Sequence, residues 1–541
     1  MEIEVKGHSG CSIEIIREDK DLYVCKSSHD PKYVPRLIIQ AEKQRHAALE
    51  EYQHVRIPQI FDVVQDEKHA VIKMEYVYSR NFIEYFETAG FEQIDYFIKA
   101  LILFVEKELK ESPVQKISTS ITVDKFNDVY KKIKSNVFLK DDIQIYRLVK
   151  KAGERIAVLA MQEYINIPVG LCHGDLTFSN ILFNGNNYYL IDFLDSFIES
   201  PLMDIVKIRQ DSYHLWSQLM YMKPFDNLRL KIICKKIDME IHKYFQRYEW
   251  YNQYYEVYQI LNLLRILQYA KEQKVVDYLK EELGVFFNRS SLISKLQNVS
   301  VKRQEDTFSL IVPAAADDES LSNTMPYVFS LDQSGIMLCV RSIMGLNLDA
   351  FDDVYFTILK KHAEKYYLKE MFDIQFKRLG MQNAHIVVLD QPTDSQPDTV
   401  FQTLQKKQIK GAFFIKDADG YFEAEVLKQN GVALFPLENL SIVDPQHKSY
   451  VAVDDMYYIT NIIERKVVSH YFNVGGVCFE KASEFFDYYN RLKLMSTAQC
   501  MSHIVYAMLL DKHKFRPIIS KNYLDWGNKA LYNFYSYDTK K

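Results

Sequence analysis

Residues 171–193 read LCHGDLTFSNILFNGNNYYLIDF, and the order of parts in this stretch decides how the rest of the chain is read. His173-Gly174-Asp175 is followed by Asn180, and then by two short apolar runs flanking Asn184-Gly185-Asn186-Asn187. Asn and Gly tolerate positive φ, so this composition predicts a β-hairpin turning at Asn184–Asn187. Folding the hairpin would bring Asp192, at the end of its second strand, back beside Asn180. Read singly, each of these residues is a turn residue or a strand-end acid. Together, HGDxxxxN, an Asn-Gly turn and Ile191-Asp192-Phe193 form an ordered set of oxygen-bearing side chains.

Phosphoryl transfer from ATP requires such a set. One carboxylate must orient the attacking hydroxyl and accept its proton, and oxygen ligands must hold Mg2+ against the phosphates. Asp175 is the candidate base, and Asn180 and Asp192 are the candidate metal ligands. Asp204, in SPLMDIVKIRQD, continues the pattern.

Outward from the loop, the first 75 or so residues alternate as strands do, in MEIEVKG, CSIEIIRE and DLYVCKS. A helical stretch follows, LIIQAEKQRHAALEEY, and then two strand-like runs ending at IKMEYV: a small sheet with one helix. From Asn81 to Gly170 apolar residues recur at three and four, which predicts a mostly helical region. Helices resume after Pro201 and continue to about Asn298.

With these parts in place, residues 1 to about 300 resemble the aminoglycoside phosphotransferase and choline kinase family, small-molecule relatives of the protein kinases. The resemblance implies an α+β protein-kinase-like bilobal domain, with an N-lobe over 1–77 and a helical C-lobe over 78–300. It implies ATP and Mg2+ as cofactors, Asp175 as catalytic base, and Asn180 and Asp192 on the metal. Lys26, in LYVCK, matches the phosphate-pairing lysine. Glu42 is the candidate for its carboxylate partner, with Glu50 and Glu51 further along the same predicted helix as alternative registers. Gly7-His8-Ser9-Gly10 lies where relatives place a loop over the ATP phosphates, through Gly7 and Gly10, although a GxxG between strands is also an ordinary hairpin turn. Met74-Glu75-Tyr76-Val77 resembles the adenine-binding hinge, through Glu75 and Val77, and reads equally as an edge strand.

The acceptor is less legible. Tyr248, Trp250, Tyr251, Tyr254 and Tyr255 form either a packed helical core or a cage for a quaternary ammonium such as choline. Asp195, Glu199 and Asp211 would suit an aminoglycoside, but acids are common on any surface.

The polar stretch Asn298–Asp306 marks a boundary, after which buried strands alternate with helices. FSLIVPA, DVYFTIL, HIVVLD, GAFFIKD and VALFPL read as parallel strands, so residues 305–541 read as an α/β domain. This half resembles nucleotidyltransferases that activate sugars or alcohol phosphates, and the resemblance implies a Rossmann-like mixed sheet. Its NTP loop departs from theirs: Ala316, Asp317, Asp318 and Glu319 replace glycines and an arginine, and Tyr327 follows Pro326 where lysine is expected. Acids there oppose a triphosphate. Asp417 or Asp419 matches the metal-binding aspartate. Lys448-Ser449-Tyr450-Val451, Glu464-Arg465-Lys466, Asn473-Val474-Gly475-Gly476 and Tyr523-Leu524-Asp525-Trp526-Gly527 follow in that family's order.

Composition narrows the remaining classes. Of 541 residues 48% are apolar, and a prior of roughly 150 residues per domain predicts three or four compact units. A formal charge of −5 argues against a nucleic-acid partner, and no run is long enough for membrane insertion. The seven cysteines are scattered without CxxC spacing, which reads as reduced thiols in a cytoplasmic protein. The expectation is an ATP/Mg2+-dependent kinase for a small-molecule acceptor, fused to a degenerate nucleotidyltransferase-like domain that binds a nucleotide or another ligand. By analogy with paired activation steps, it would serve surface polysaccharide biosynthesis. The alternatives are a bifunctional kinase and nucleotidyltransferase, and a non-catalytic scaffold.

Overall fold

Alternation at the start of the described chain makes a hairpin. Strands β1 (Ser12–Glu18) and β2 (Asp21–Ser28) pair antiparallel from Ser12 opposite Ser27 to Glu18 opposite Asp21, with Asp19 in the turn at φ +53°. The computed structural model describes residues 11–66, 68–288, 307–316, 325–440, 448–497 and 499–527. The run MEIEVKG, Gly7, Gly10, the boundary at Asn298–Asp306, and Asp317, Asp318 and Glu319 lie outside them.

Helix α1 (Val34–Ala48) starts with Pro near its first turn and buries Val34, Leu37, Gln40, Ala41, Gln44 and Ala47, a three-and-four spacing that lays one face on the sheet. After β3 (Val55–Arg56), strands β4 (Ile60–Gln65) and β5 (Ala70–Glu75) complete a four-stranded sheet in the order β1-β2-β5-β4. The strand ending at the expected hinge therefore lies inside the sheet, not at its edge.

Helices α2 (Phe82–Phe86) and α3 (Phe91–Lys110) follow, then β6 (Val114–Ser118), α4 (Ser120–Ser135), α5 (Ile143–Ala160) and β7 (Tyr164–Pro168). β6 and β7 pair antiparallel, a two-stranded element that the helical expectation for this region did not include. Strands β8 (Ile181–Asn184) and β9 (Asn187–Leu190) form the expected hairpin, with Asn184 opposite Asn187 and Gly185 at φ +58°. It is pinned by aromatic packing: Tyr85 stacks on Phe183 at 4.5 Å, and Phe97 meets Tyr188 at 5.0 Å. Helices α6 (Pro201–Ser212), α7 (Trp216–Leu219), α8 (Asn227–Phe245), α9 (Glu249–Leu267) and α10 (Gln273–Asn288) end this part.

Past residue 307 the elements are β10 (Phe308–Ala314), α11 (Leu338–Arg341), β11 (Asp353–Leu359), α12 (Lys360–Lys365), α13 (Leu368–Leu379), β12 (Ala384–Leu389), α14 (Gln396–Lys407), β13 (Ala412–Lys416), β14 (Gly420–Glu423), β15 (Gly431–Pro436), β16 (Ser449–Val453), β17 (Ile459–Glu464), β18 (Tyr471–Phe479), α15 (Ala482–Lys493), α16 (Met501–Leu510), β19 (Arg516–Ile519) and β20 (Lys521–Asp525). The main sheet runs β12-β11-β10-β13-β18-β15-β19. The five strands expected to be parallel share one direction, but β18 runs antiparallel between β13 and β15, so the sheet is mixed.

Both parts of the chain are thus mixed α and β. They form two compact units, Met1–Glu87 with Gln93–Asp226 and Ile233–Val299, and Thr88–Glu92 with Asn227–Ile232 and Ser300–Lys541. Two rather than three or four arise because the N-terminal sheet and the helical region share contacts, Lys43 with Glu199 among them, and count as one body. Among the described residues no helix is long and apolar enough to cross a membrane, and all seven cysteines are free.

Candidate active site

His173 organises the first site. Its imidazole is fully buried; Nδ1 accepts from the Asp175 amide at 3.2 Å and Nε2 donates to the Ile191 carbonyl at 2.9 Å. One ring thus ties the segment carrying Asp175 to the segment carrying Asp192. Burial, with Lys43 nearby, pushes its pKa down to about 4 against the opposing pull of Asp175, so the ring is neutral and both contacts persist near pH 7.

The loop backbone is held from below by α6. Ser200 caps that helix by accepting from the Leu202 amide at 3.2 Å, and Pro201 occupies its first turn. Asp204, fully buried on α6, accepts from the His173 amide at 2.5 Å and the Gly174 amide at 2.7 Å. Burial raises its pKa to about 6 despite these donors. Two helical turns on, Asp211 accepts from the Phe178 amide at 2.6 Å and the Ser217 amide at 2.9 Å. Gly174 sits at φ +86°, where a side chain would collide with the Leu194 carbonyl.

Asp175 receives Lys207 Nζ at 3.0 Å, and Asn180 Nδ2 donates to its carboxylate at 3.0 Å. Burial works against the Asp175 carboxylate, but Lys207 and Asn180 outweigh it and hold its pKa below the ordinary value. The Asn180 backbone carbonyl accepts from the Ile191 amide at 3.1 Å, which fixes the end of the hairpin beside the loop without using the side-chain oxygen. Asp192 lies at φ +61°, a left-handed conformation that Asp tolerates better than most residues, and its carboxylate meets Lys26 Nζ at 2.8 Å. Lys26 is buried on β2; burial opposes its charge, and Asp192 more than restores it.

In the second unit, Asp417 and Asp419 follow β13. Gln396 donates to Asp417, and the Tyr327 hydroxyl donates to Asp419 at 3.4 Å. Pairing of β14 with β20 sets Gly420 opposite Asp525, which is ion-paired with Lys448. Burial, then the charge of Asp419, raises the Asp417 pKa to about 6. Lys416 is buried with Nζ on the Asp417 and Gly420 carbonyls at 2.8 and 2.7 Å, and burial lowers its pKa to about 8. A cavity of about 950 Å³ opens here, lined by Pro326, Tyr327, Lys361, Lys365, Asp417 and Asp419 among others.

Residues 139–229 match the phosphotransferase enzyme family. That segment carries Asp175, Asn180, Asp192, Asp204 and Lys207. Similar solved structures include a thermostable mutant of the aminoglycoside phosphotransferase APH(4)-Ia, 10% identical, covering 53% of this chain and 94% of its own at TM-score 0.36. Others are the nucleoside-diphosphate-sugar pyrophosphorylase from Vibrio cholerae RC9 (12% identical, 42% of this chain and 99% of that one, TM-score 0.36) and the inositol-1-phosphate CTP transferase from T. maritima (15%, 44% and 96%, TM-score 0.34). No curated protein matches the chain.

Within and around the phosphotransferase segment, the structure brings Lys26 to Asp192 and Asp175 to Asn180. It does not bring Glu42 to Lys26: Glu42 is exposed, and Gln40 lies 3.4 Å from Lys26 Nζ instead. Glu50 pairs with Lys107 at 3.0 Å. Glu75 accepts from the Gln59 amide at 3.1 Å, and Val77 is buried. The acids weighed for an acceptor are engaged elsewhere: Asp195 with Arg36 at 3.4 Å, Glu199 with Lys43 at 2.6 Å, and Asp211 with backbone amides. Of the aromatic cluster, Trp250, Tyr251 and Tyr254 are buried, and Arg209 already lies 4.4 Å from the Tyr255 ring, where a cage would hold its ligand's cation. Lys207 escaped the sequence reading, although its place three residues after Asp204 on one helix was a usable signal. Nothing in the sequence announced the pairing of Lys43 with Glu199.

Proposed function

We propose that residues 1–300 are an ATP- and Mg2+-dependent small-molecule kinase of bilobal protein-kinase-like build, with an N-lobe over 1–77 and a C-lobe over 78–300. The observation that carries this reading is the joint placement of Lys26 on Asp192 and of Asp175 beside Asn180, joined through His173. The donor set fits the metal. Asn180 spends its amide nitrogen on Asp175, which leaves its carbonyl oxygen as a ligand, and Asp192 offers the oxygen that Lys26 does not take. Mg2+ is commonly held by one or two such side chains plus phosphate oxygens and water, and when bound it neutralises charge on the transferring phosphoryl group.

Asp175, kept ionised by Lys207, takes the proton of the acceptor hydroxyl as its oxygen bonds to the γ-phosphorus of ATP. The bond from that phosphorus to the bridging oxygen breaks, and ADP leaves. Lys26 holds the ATP phosphates, and positioning supplies most of the rate. ATP consumption by the wild type, Asp175→Asn and Asp192→Asn tests the reading: each substitution is expected to lower kcat about 10²–10⁴-fold. Equal, slow consumption by all three would instead favour a scaffold.

The C-terminal half, 305–541, we read as a nucleotidyltransferase-like domain that has lost nucleotidyl transfer, since Gln396 and Tyr327 engage the candidate acids and Tyr327 stands where a lysine is expected. One observation favours the bifunctional alternative: the cavity of about 950 Å³ with Asp417 and Asp419 in its wall is large enough for a nucleotide. Pyrophosphate release across NTPs, with a phosphorylated acceptor present, separates the two. Service in surface polysaccharide precursor synthesis belongs to the same proposal, by analogy alone.

A further inference from the structure

Arg265, on α9, has a partly buried guanidinium with no acid of its own. Among the described residues its side chain makes no ion pair and no hydrogen bond. Its Cζ lies 5.4 Å from the centre of the Phe197 ring, and Lys125 of α4 brings its Nζ within 6.0 Å of the same ring. Arg265 interacts electrostatically with Asp175 and with Arg36, and Lys125 with both arginines, so Arg265 is the member of this cationic group that faces the catalytic carboxylate. The neighbouring acids are taken. Lys207 holds Asp175 at 3.0 Å, Arg36 holds Asp195 at 3.4 Å, and Lys132 holds Asp128 at 2.9 Å, leaving Lys125 a 3.9 Å contact with Asp128.

Holding like charges around one ring and partly out of water is unfavourable: burial, with Arg36 adding to it, lowers the pKa of Arg265, and burial, with Arg265 adding to it, lowers that of Lys125. An oxyanion on the bound acceptor would reverse that cost. A guanidinium fork matches the two oxygens of a carboxylate or phosphate, and charge-assisted bonds of this kind are the strong ones. Phe197, 6.3 Å from Tyr258, adds an apolar wall for the carbon skeleton. A cationic acceptor would meet repulsion from the same group.

We propose that the acceptor alcohol of this kinase carries an oxyanion, as a phosphate monoester or a carboxylate, bound by Arg265 and Lys125 while its hydroxyl faces Asp175. This rests on the kinase reading above and names the substrate class that reading leaves open.

The test is calorimetric titration of sodium sulfate, glycerol 3-phosphate, glycerate, glycerol and choline into the full chain loaded with Mg2+ and a non-hydrolysable ATP analogue. Arg265→Gln and Lys125→Gln are titrated alongside, with folding checked by circular dichroism. The wild type is expected to bind the anions and neither glycerol nor choline. Each variant should weaken anion binding, Arg265→Gln by about tenfold or more. The relative affinities of glycerol 3-phosphate and glycerate tell phosphate from carboxylate. Anion affinity unchanged in both folded variants, no anion binding, or preference for choline overturns the proposal. ATP consumption unaffected by Asp175→Asn would instead sink the kinase reading, whatever the anions do.

Discussion

At Gly174 an added methyl would lie 2.0 Å from the Leu194 carbonyl oxygen, at a φ that side chains rarely adopt. Gly174→Ala is therefore expected to lower unfolding stability by more than about 2 kcal/mol in urea titrations, and to depress kcat because Asp175 is next in the chain. His173 makes a prediction of opposite character, in pH. Its pKa falls from 6.5 to about 4 on folding, so between those values the unfolded chain binds more protons and stability drops as pH falls. Relative to His173→Gln, which does not titrate, the wild type should lose up to about 3 kcal/mol between pH 7 and pH 4. If the gap between the two proteins is flat with pH, the ring is not buried neutral. Asp175, Asn180 and Asp192 were singled out as candidates because their order in the chain is itself the signal. Gln40 was not: it stands two positions before Glu42, about 200° around a helix, and only the true start of α1 decides which of the two points inward.

Helix α6 concentrates the support of the site in three side chains, Asp204, Lys207 and Asp211. Removing its cap by Ser200→Ala should cost about 1 kcal/mol, read from thermal unfolding, and Asp204→Ala more, because two buried amides lose their acceptor. The hairpin of β8 and β9 was readable from its turn chemistry alone. The β6–β7 pair was not, since β6 is short and largely exposed and its partner follows two intervening helices. β18 hid for another reason. Its paired glycines suggest a loop, yet a Cβ at Gly476 would sit 2.7 Å from the Ala433 side chain and 2.8 Å from Phe414, so close packing inside the sheet demands glycine there.

For the molecule as a whole, ligand linkage gives the broadest check. On the kinase reading, Mg2+ and a non-hydrolysable ATP analogue at a hundred times its Kd should stabilise the N-terminal unit by about 2.7 kcal/mol in calorimetric unfolding, and Asp192→Asn should abolish that gain. The change of pattern near residue 300 was legible from composition and periodicity. That the small sheet and the helices behave as one body was not, because contacts such as Lys26 with Asp192 join positions 166 residues apart and leave no local trace. That separation also has a meaning in time. At about 5–20 residues per second of synthesis, Lys26 leaves the ribosome roughly 8–33 seconds ahead of its carboxylate. A lone ammonium resists burial, so the nascent sheet must wait, loosely formed, until translation delivers the counter-charge that lets it close.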